Sequence, residues 1–265
     1  MSVQTSILIV NHNSGAALAK MLGALQLDEA LTTEVIVVDA GSRDDSVAKV
    51  KQQFPTVRLI ETSQSKGFPA SVNRGLRDAL GDVVVICHAD IVAPIFNLVE
   101  LADQVREGAG RRIAMMLPRL IDARGNELPF VGRLPGLSQN TIGLFNPSMV
   151  RRLYLPTLDH VADHEWSILP CAAINAELLQ KIGEFDPRFF LYYADADLCL
   201  RIHQRDYRIG ISRNIRVAHL ARSEARDAEH LQLMRKDHER YITKHRPAWE
   251  RGWVSLYGML HKNAG

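Results

Sequence analysis

The sequence predicts an α/β protein with a mainly parallel central sheet. Three observations predict it. Near-continuous Val and Ile runs, "ILIV", "VIVV" and "VVVIC", recur through the first third of the chain. Stretches with apolar residues at helical spacing alternate with them. Each run also ends in polar residues. Unbroken β-branched runs alternating with helices describe parallel strands covered on both faces. In such sheets the ligand lies at the carboxyl ends of the strands.

The first strand runs from Ser6 to Val10 and closes on Asn11, His12 and Asn13. "GAALAKMLGALQ" then places Leu18, Met21, Leu22 and Leu25 on one helical face. "EVIVVDAGS" is a second strand ending at Asp39, with Gly41 and Ser42 turning the chain. "RDDSVAKVKQQF" opens on acids suited to a helix start. "VRLIET" is a third strand and "PASVNRGLRDAL" a helix. "DVVVICHAD" is a fourth strand whose end raises the functional question. Residues two apart on an extended chain face the same side. His88 and Asp90 are therefore expected to point together into one cleft, beside the polar ends Asn11–Asn13 and Asp39–Ser42.

Composition bounds the rest. A chain of 265 residues, 46% hydrophobic and 23% charged, can bury a substantial core as a soluble globular protein. Its apolar runs fall far short of the ~18–20 residues of a membrane span. "MSVQTSILIVNHN" has neither a basic n-region nor a small-residue cleavage site, so no signal peptide is expected. Cys87, Cys171 and Cys199 form neither a zinc pattern nor a disulfide framework, and are expected to be reduced thiols of a cytoplasmic protein. A net charge of +2 leaves no nucleic-acid footprint. The charge is uneven, however. Residues 1–200 carry 18 Lys+Arg against 23 Asp+Glu, and residues 201–265 carry 14 against 7. A basic end is either a solvated helical face or a means of staying near an anionic surface. The turn "NHNSGAALA" has the single Gly15 in place of G-x-G-x-x-G, and no P-loop occurs. Neither a nicotinamide oxidoreductase nor a P-loop enzyme is expected.

Four segments then carry a resemblance. "ILIVNHNSGAALAKMLGAL", "EVIVVDAGSRDDS", "SKGFPASVNRGLRDALGDVVVICHAD" and "GEFDPRFFLYYADADLCLRIHQRDYRIGISRNIRVAHL" follow in this order. Together they resemble the family 2 glycosyltransferases, most closely the bacterial rhamnosyltransferase-like branch, over roughly residues 5–225. The resemblance implies a GT-A fold, with a Rossmann-like nucleotide-binding half continuing into an acceptor-binding half. It also implies inverting transfer of a sugar from a nucleoside diphosphate sugar, dTDP-rhamnose or a UDP-sugar, to a polysaccharide or lipid-linked glycan.

That chemistry needs a base for the acceptor hydroxyl proton and positive charge on the departing diphosphate. "FFLYYADADLCLRI" holds two acids two positions apart. By resemblance Asp195 falls on the catalytic base, and Asp197 on an acid at the helix start, where a carboxylate can accept backbone N–H bonds. Asp90 matches the usual metal ligand of the family's Asp-x-Asp triplet, and His219 a histidine that can join the metal shell. One oxygen and one nitrogen ligand suit Mn²⁺ or Mg²⁺. The chain departs from the family at Ala194, where an acid is usual, and at His88, where the triplet has its first acid. These departures motivate a competing reading, a catalytically lapsed nucleotide- or glycan-binding protein.

The resemblance also assigns the nucleotide end. Asp39 matches the acid that hydrogen-bonds the base, with Ser42 beside it and Asn11 and Asn13 at the end of the first strand. "SKGFPASVN" resembles the family's Asn-x-Gly-Phe segment with Ser65 in place of the Asn. Gly67 would let the backbone approach the diphosphate, Lys66 could add charge there, Asn73 faces the site from its helix, and His88 faces diphosphate or ribose. Cys171 stands where the family has Gly.

The expected organisation is a catalytic domain over residues 1–225, split into a nucleotide half (1–118) and an acceptor half (119–225), followed by a helical extension (226–265). Residues 119–170 show no clean period, apart from the turn-rich "DARGNELP". In the tail, Leu231, Met234, His238, Tyr241 or Ile242, and His245 share one helical stripe expected to pack on the catalytic domain. "WERGWVSLYGMLHK" places Trp249, Trp253, Leu256, Tyr257 and Leu260 in a basic setting. It suits burial in the chain's own core, a homodimer seam, or peripheral contact with the inner membrane face, where lipid-linked acceptors reside.

Overall fold

The structure, a computed structural model, describes residues 2–27, 32–132, 134, 165–220, 228–249 and 252. Its first part follows the apolar runs. β1 (Thr5–Asn11), β2 (Thr33–Asp39), β3 (Arg58–Glu61) and β4 (Val83–His88) pair in parallel, β1 lying between β2 and β4. The helices α1 (Gly15–Leu25), α2 (Ser46–Gln53) and α3 (Phe68–Leu76) connect them. Leu18, Met21, Leu22 and Leu25 of α1 are all buried, as their spacing predicts. Val83 to Cys87 of β4 are buried without interruption, the signature of a central strand covered on both faces.

The remaining elements are β5 (Ile91–Val92), α4 (Ile95–Glu107), β6 (Ile113–Ile121), β7 (Val131–Gly132), β8 (Trp166–Ser167), β9 (Cys171–Asn175), α5 (Ala176–Lys181), α6 (Ala194–His203), β10 (Arg208–His219) and α7 (Ala228–His245). Of these, β5, β6, β9 and β10 extend the sheet. The strand order is β3-β2-β1-β4-β9-β6-β10-β5, and β7 and β8 form a separate ribbon. The sheet is mixed and mostly parallel: β9 runs antiparallel between β4 and β6, and β5 antiparallel to β10. "DARGNELP" turns the chain back on β6, with Leu128 N–H donating to the Leu120 carbonyl.

Two features position the site. Gly67 precedes α3 with φ +91°, and a Cβ there would lie 2.3 Å from the Phe190 carbonyl oxygen. Only glycine allows the two backbones to meet this closely. The second is α7. Its carboxyl-terminal half packs on the domain, with Asp237, Tyr241 and Ile242 buried, whereas Leu231 of the expected stripe stays 42% exposed. Trp249 is exposed. The acceptor segment 135–164 and Trp253, Leu256, Tyr257 and Leu260 lie outside the described residues.

Candidate active site

A cleft of about 270 Å³ opens at the carboxyl ends of β1, β2 and β4. His88 and Asp90 line it together, as their spacing predicts, but by another route. β4 ends at His88, and Ala89 and Asp90 form a turn before β5. A turn, not the pleat of an extended strand, brings the two side chains to one side. The His88 backbone N–H donates to the Pro170 carbonyl (2.8 Å), and its ring stands edge-on to Phe68 at 4.6 Å.

The short β5 then sets the third member. Ile91 pairs with His219 in antiparallel register, and Leu220 N–H donates to the Asp90 carbonyl (2.9 Å). His219 Nε2 consequently lies 3.3 Å from Asp90 Oδ2. One ligating atom each from His88, Asp90 and His219 all fall within 4.8 Å of one another. Burial pushes the His88 imidazole down to about 4, against the pull of Asp90, so it is neutral and offers a lone pair at neutral pH. Burial opposes ionisation of Asp90, yet the His219 hydrogen bond and the electrostatic pull of the two neighbouring imidazole rings hold its carboxyl below the usual range. Asp90 Oδ1 is buried with no hydrogen-bond partner among the described residues. An orphaned anionic oxygen between two imidazoles fits a divalent cation. His88, expected at diphosphate or ribose, thus joins the cluster of Asp90 and His219.

The polar strand ends form the floor behind the cleft. Asn11 and Asp39, opposite each other in register, are both buried. Asn11 Nδ2 donates to Asp39 Oδ1 (2.8 Å), Ser42 Oγ (3.1 Å) and Ser46 Oγ (3.0 Å). Asp39 also accepts from the Ser42 N–H (2.9 Å) and hydroxyl (2.6 Å). Asn13 donates its N–H to Ser42 Oγ and accepts from Arg43 N–H. This network locks the β1 and β2 ends together. Asn73 holds the Phe185 backbone with both amide atoms, at 2.7 and 3.1 Å. Gly67 lines the cleft and Lys66, beside it, is exposed.

Several lining residues were not singled out from the sequence. Ser14, Phe68 and Ser71 belong to the same strand ends and helix starts, and position alone could have found them, while His12 and Ala40 lie within the strand ends Asn11–Asn13 and Asp39–Ser42. Phe190 and Leu191 come from a remote segment and carry no local signal.

Asp195 follows four residues after Leu191, in the first turn of α6. It is half-buried, and its Oδ1 accepts from Ala196 N–H (2.8 Å). Burial pushes its carboxyl up to about 6, against the hydrogen bonds from Ala196 and the Trp166 indole. Asp197 differs completely. It is fully buried and paired with Arg201 (2.8 Å), Lys244 (2.5 Å) and His245 (2.6 Å). Burial opposes its ionisation, but these partners win and hold the carboxyl below its usual range. Cys171 faces Cys87 across the β4–β9 pair, both reduced and buried, with the sulfurs 3.7 Å apart.

Comparison with known proteins agrees with this geometry. Residues 6–113 match the family described as "Glycosyl transferase family 2". An N-acetylglucosaminyl-diphospho-decaprenol L-rhamnosyltransferase of Mycobacterium tuberculosis is 24% identical over 92% of this chain and 86% of its own length. Among solved structures, glucosyl-3-phosphoglycerate synthase of Mycobacterium tuberculosis, in complex with Mn²⁺, UDP and glucosyl-3-phosphoglycerate, superposes with a TM-score of 0.61 at 17% identity, over 92% of this chain and 81% of that one. GalNAc-T7 with UDP, GalNAc and Mn²⁺ gives a TM-score of 0.64 at 16% identity over 91% of this chain, which spans 48% of that longer protein. The chain is a glycosyltransferase with the GT-A fold, and its residues 6–113 match glycosyl transferase family 2.

Proposed function

We propose that the enzyme transfers a sugar, with inversion, from a nucleoside diphosphate sugar to a hydroxyl of a polysaccharide or lipid-linked glycan. dTDP-rhamnose is the first donor to test, because a relative that matches along 92% of the chain is named an L-rhamnosyltransferase. The observation that carries the reading is the convergence of His88, Asp90 and His219 in the cleft, with Asp90 Oδ1 unpartnered.

The diphosphate binds at this cluster and the nucleoside over the floor formed by Asn11, Asp39 and Ser42, with Asn13, Lys66 and Gly67 bordering it and Asn73 supporting it through the Phe185 backbone. Asp90, His219 and His88 would hold Mn²⁺ or Mg²⁺, which when bound supplies positive charge to the departing diphosphate. Asp195 acts as general base. The acceptor oxygen attacks the anomeric carbon, its proton passes to the Asp195 carboxylate, and the nucleoside diphosphate leaves with the bonding electron pair. A carboxyl raised to about 6 is still ionised at neutral pH and is a stronger base than an ordinary aspartate.

Among the described residues no helix is long and apolar enough to cross a membrane. The basic excess after residue 200 and the exposed Trp249 support peripheral contact with the inner face of the cell membrane by an otherwise cytoplasmic enzyme. A homodimer through the same segment is the other arrangement, and light scattering with and without anionic vesicles separates them.

The test is release of nucleoside diphosphate from a panel of dTDP- and UDP-sugars, with and without Mn²⁺ and glycan acceptors. Cation-dependent release supports transfer. Tight nucleotide binding without release across the panel would instead support the catalytically lapsed binder.

A further inference from the structure

The segment carrying Asp195 is gripped on both sides by the carboxyl-terminal helix α7. Asp237 of α7 is fully buried. Its carboxylate accepts three successive backbone N–H groups, from Phe190 (3.1 Å), Leu191 (2.9 Å) and Tyr192 (3.0 Å), and pairs with Arg240 (2.6 Å). Successive N–H groups turned toward one anion form a backbone nest. Here the anion is a side chain of the same protein, bonded to three consecutive N–H groups of the loop. The next residue, Tyr193, has φ +60°, a conformation costly for a non-glycine residue, and α6 starts directly after it. The Tyr193 ring packs between His238 (5.0 Å) and Tyr241 (5.7 Å) of α7. Beyond Asp195, the buried Asp197 is held by Lys244 and His245 of the same helix.

We propose that Asp237 is a positioning residue for the catalytic base, fixing the Phe190–Tyr192 backbone from α7 and thereby the place and surroundings of Asp195. The inference rests on the reading of Asp195 as base given above. It extends to the donor side as well. Phe190 and Leu191 line the cleft, and the Phe190 carbonyl accepts the Phe68 N–H (2.8 Å) at the start of α3. One buried carboxylate thus ties the cleft wall and the base to the same helix.

The experiment compares wild type with Asp237→Asn, which keeps the shape and removes the charge. Amide exchange reads the loop, ¹³C NMR of the Asp195 carboxyl reads its surroundings, and dTDP release from dTDP-rhamnose in water reads the base without an acceptor. The Phe190, Leu191 and Tyr192 amides should exchange at least about tenfold faster once the anion is gone. The Asp195 midpoint should fall by about one unit toward the ordinary aspartate value as water reaches it. Release of dTDP should fall about tenfold or more. Faster exchange with an unmoved Asp195 midpoint would reduce Asp237 to a structural staple and overturn the proposal. If Asp237→Asn does not fold, Arg240→Met weakens the same carboxylate from the solvent side, and the same three readouts decide. Asp195→Asn in the wild-type background separates the two claims. If its dTDP release is normal while the midpoint still moves in Asp237→Asn, the base assignment fails and the positioning of Asp195 stands.

Discussion

The Asp90 carboxylate and the His219 imidazole meet at 3.3 Å because β10 returns along the two-residue strand β5. This edge pairing brings residues far apart in sequence into one candidate cation site, and the first prediction follows from it. Asp90→Ala should abolish the Mn²⁺ dependence of nucleotide binding. His219→Ala should weaken Mn²⁺ affinity by about tenfold or more, the effect of one lost ligand or its support. Calorimetric titration of UDP and dTDP at several Mn²⁺ concentrations checks both. Nucleotide affinity that responds to Mn²⁺ in Asp90→Ala as in wild type would remove the metal from this cluster.

Asp195 predicts a pH profile as well as a rate loss. Its carboxyl must be ionised to accept a proton, and burial raises it to about 6. Turnover should rise with pH through about 6 and level off above it. Asp195→Asn should lower transfer by ~100-fold or more while donor binding holds. A mutant with near-normal transfer would sink the assignment.

Asp39 tests whether the floor of the cleft also reads the nucleotide. Asp39→Ala removes one of the three acceptors of Asn11 Nδ2 and leaves both Ser42 donors without their acceptor. Stability should fall, and affinity for UDP and dTDP should weaken by ~1–3 kcal/mol, the cost of an unpaired buried polar group. A lower melting temperature with unchanged affinity for both nucleotides would confine Asp39 to the scaffold.

His238 predicts the dependence of stability on acid. Burial pushes its imidazole down to about 4, and its Nε2 has no hydrogen-bond partner among the described residues. In the unfolded chain it titrates near the ordinary histidine value of ~6.5. The folded value is depressed, so on acidification the unfolded state takes up the proton first. The contribution is fully present above about pH 6.5 and is lost as the pH falls through the folded value, roughly 3 kcal/mol in total. His238→Phe should flatten the fall in unfolding free energy between pH 7 and pH 4.5, measured by urea denaturation. An unchanged slope would assign the proton uptake elsewhere, first to His88, which burial also pushes to about 4.

The nucleotide half was legible because its signals are local. A Val/Ile run such as Val83–Cys87 declares a buried strand by itself, and Leu18, Met21, Leu22 and Leu25 declare a helix face by spacing alone. The polar residues closing β1, β2 and β4 mark the cleft for the same reason, since a parallel sheet puts all these ends on one edge. Even so, sequence spacing suggested a pleat where the chain makes a turn at Ala89 and Asp90.

Other relationships depend on which remote segments bury each other. β9 reads as an ordinary apolar run, and only its place between β4 and β6 makes it antiparallel. Asn73 could have faced the cleft from α3, but the Phe185 backbone lies close enough to use both its amide atoms. Asp195 and Asp197 look alike in sequence. The first is half-buried and raised, while the second is buried against Arg201, Lys244 and His245 and held ionised. Periodicity along the chain determined which side chains face inward on each strand and helix. The packing of α7 decided that Asp197 is an ion-pair anchor, by bringing Lys244 and His245 to it, while burial without such partners leaves the neighbouring Asp195 raised, because a carboxylate's ionisation follows the charges and water around it.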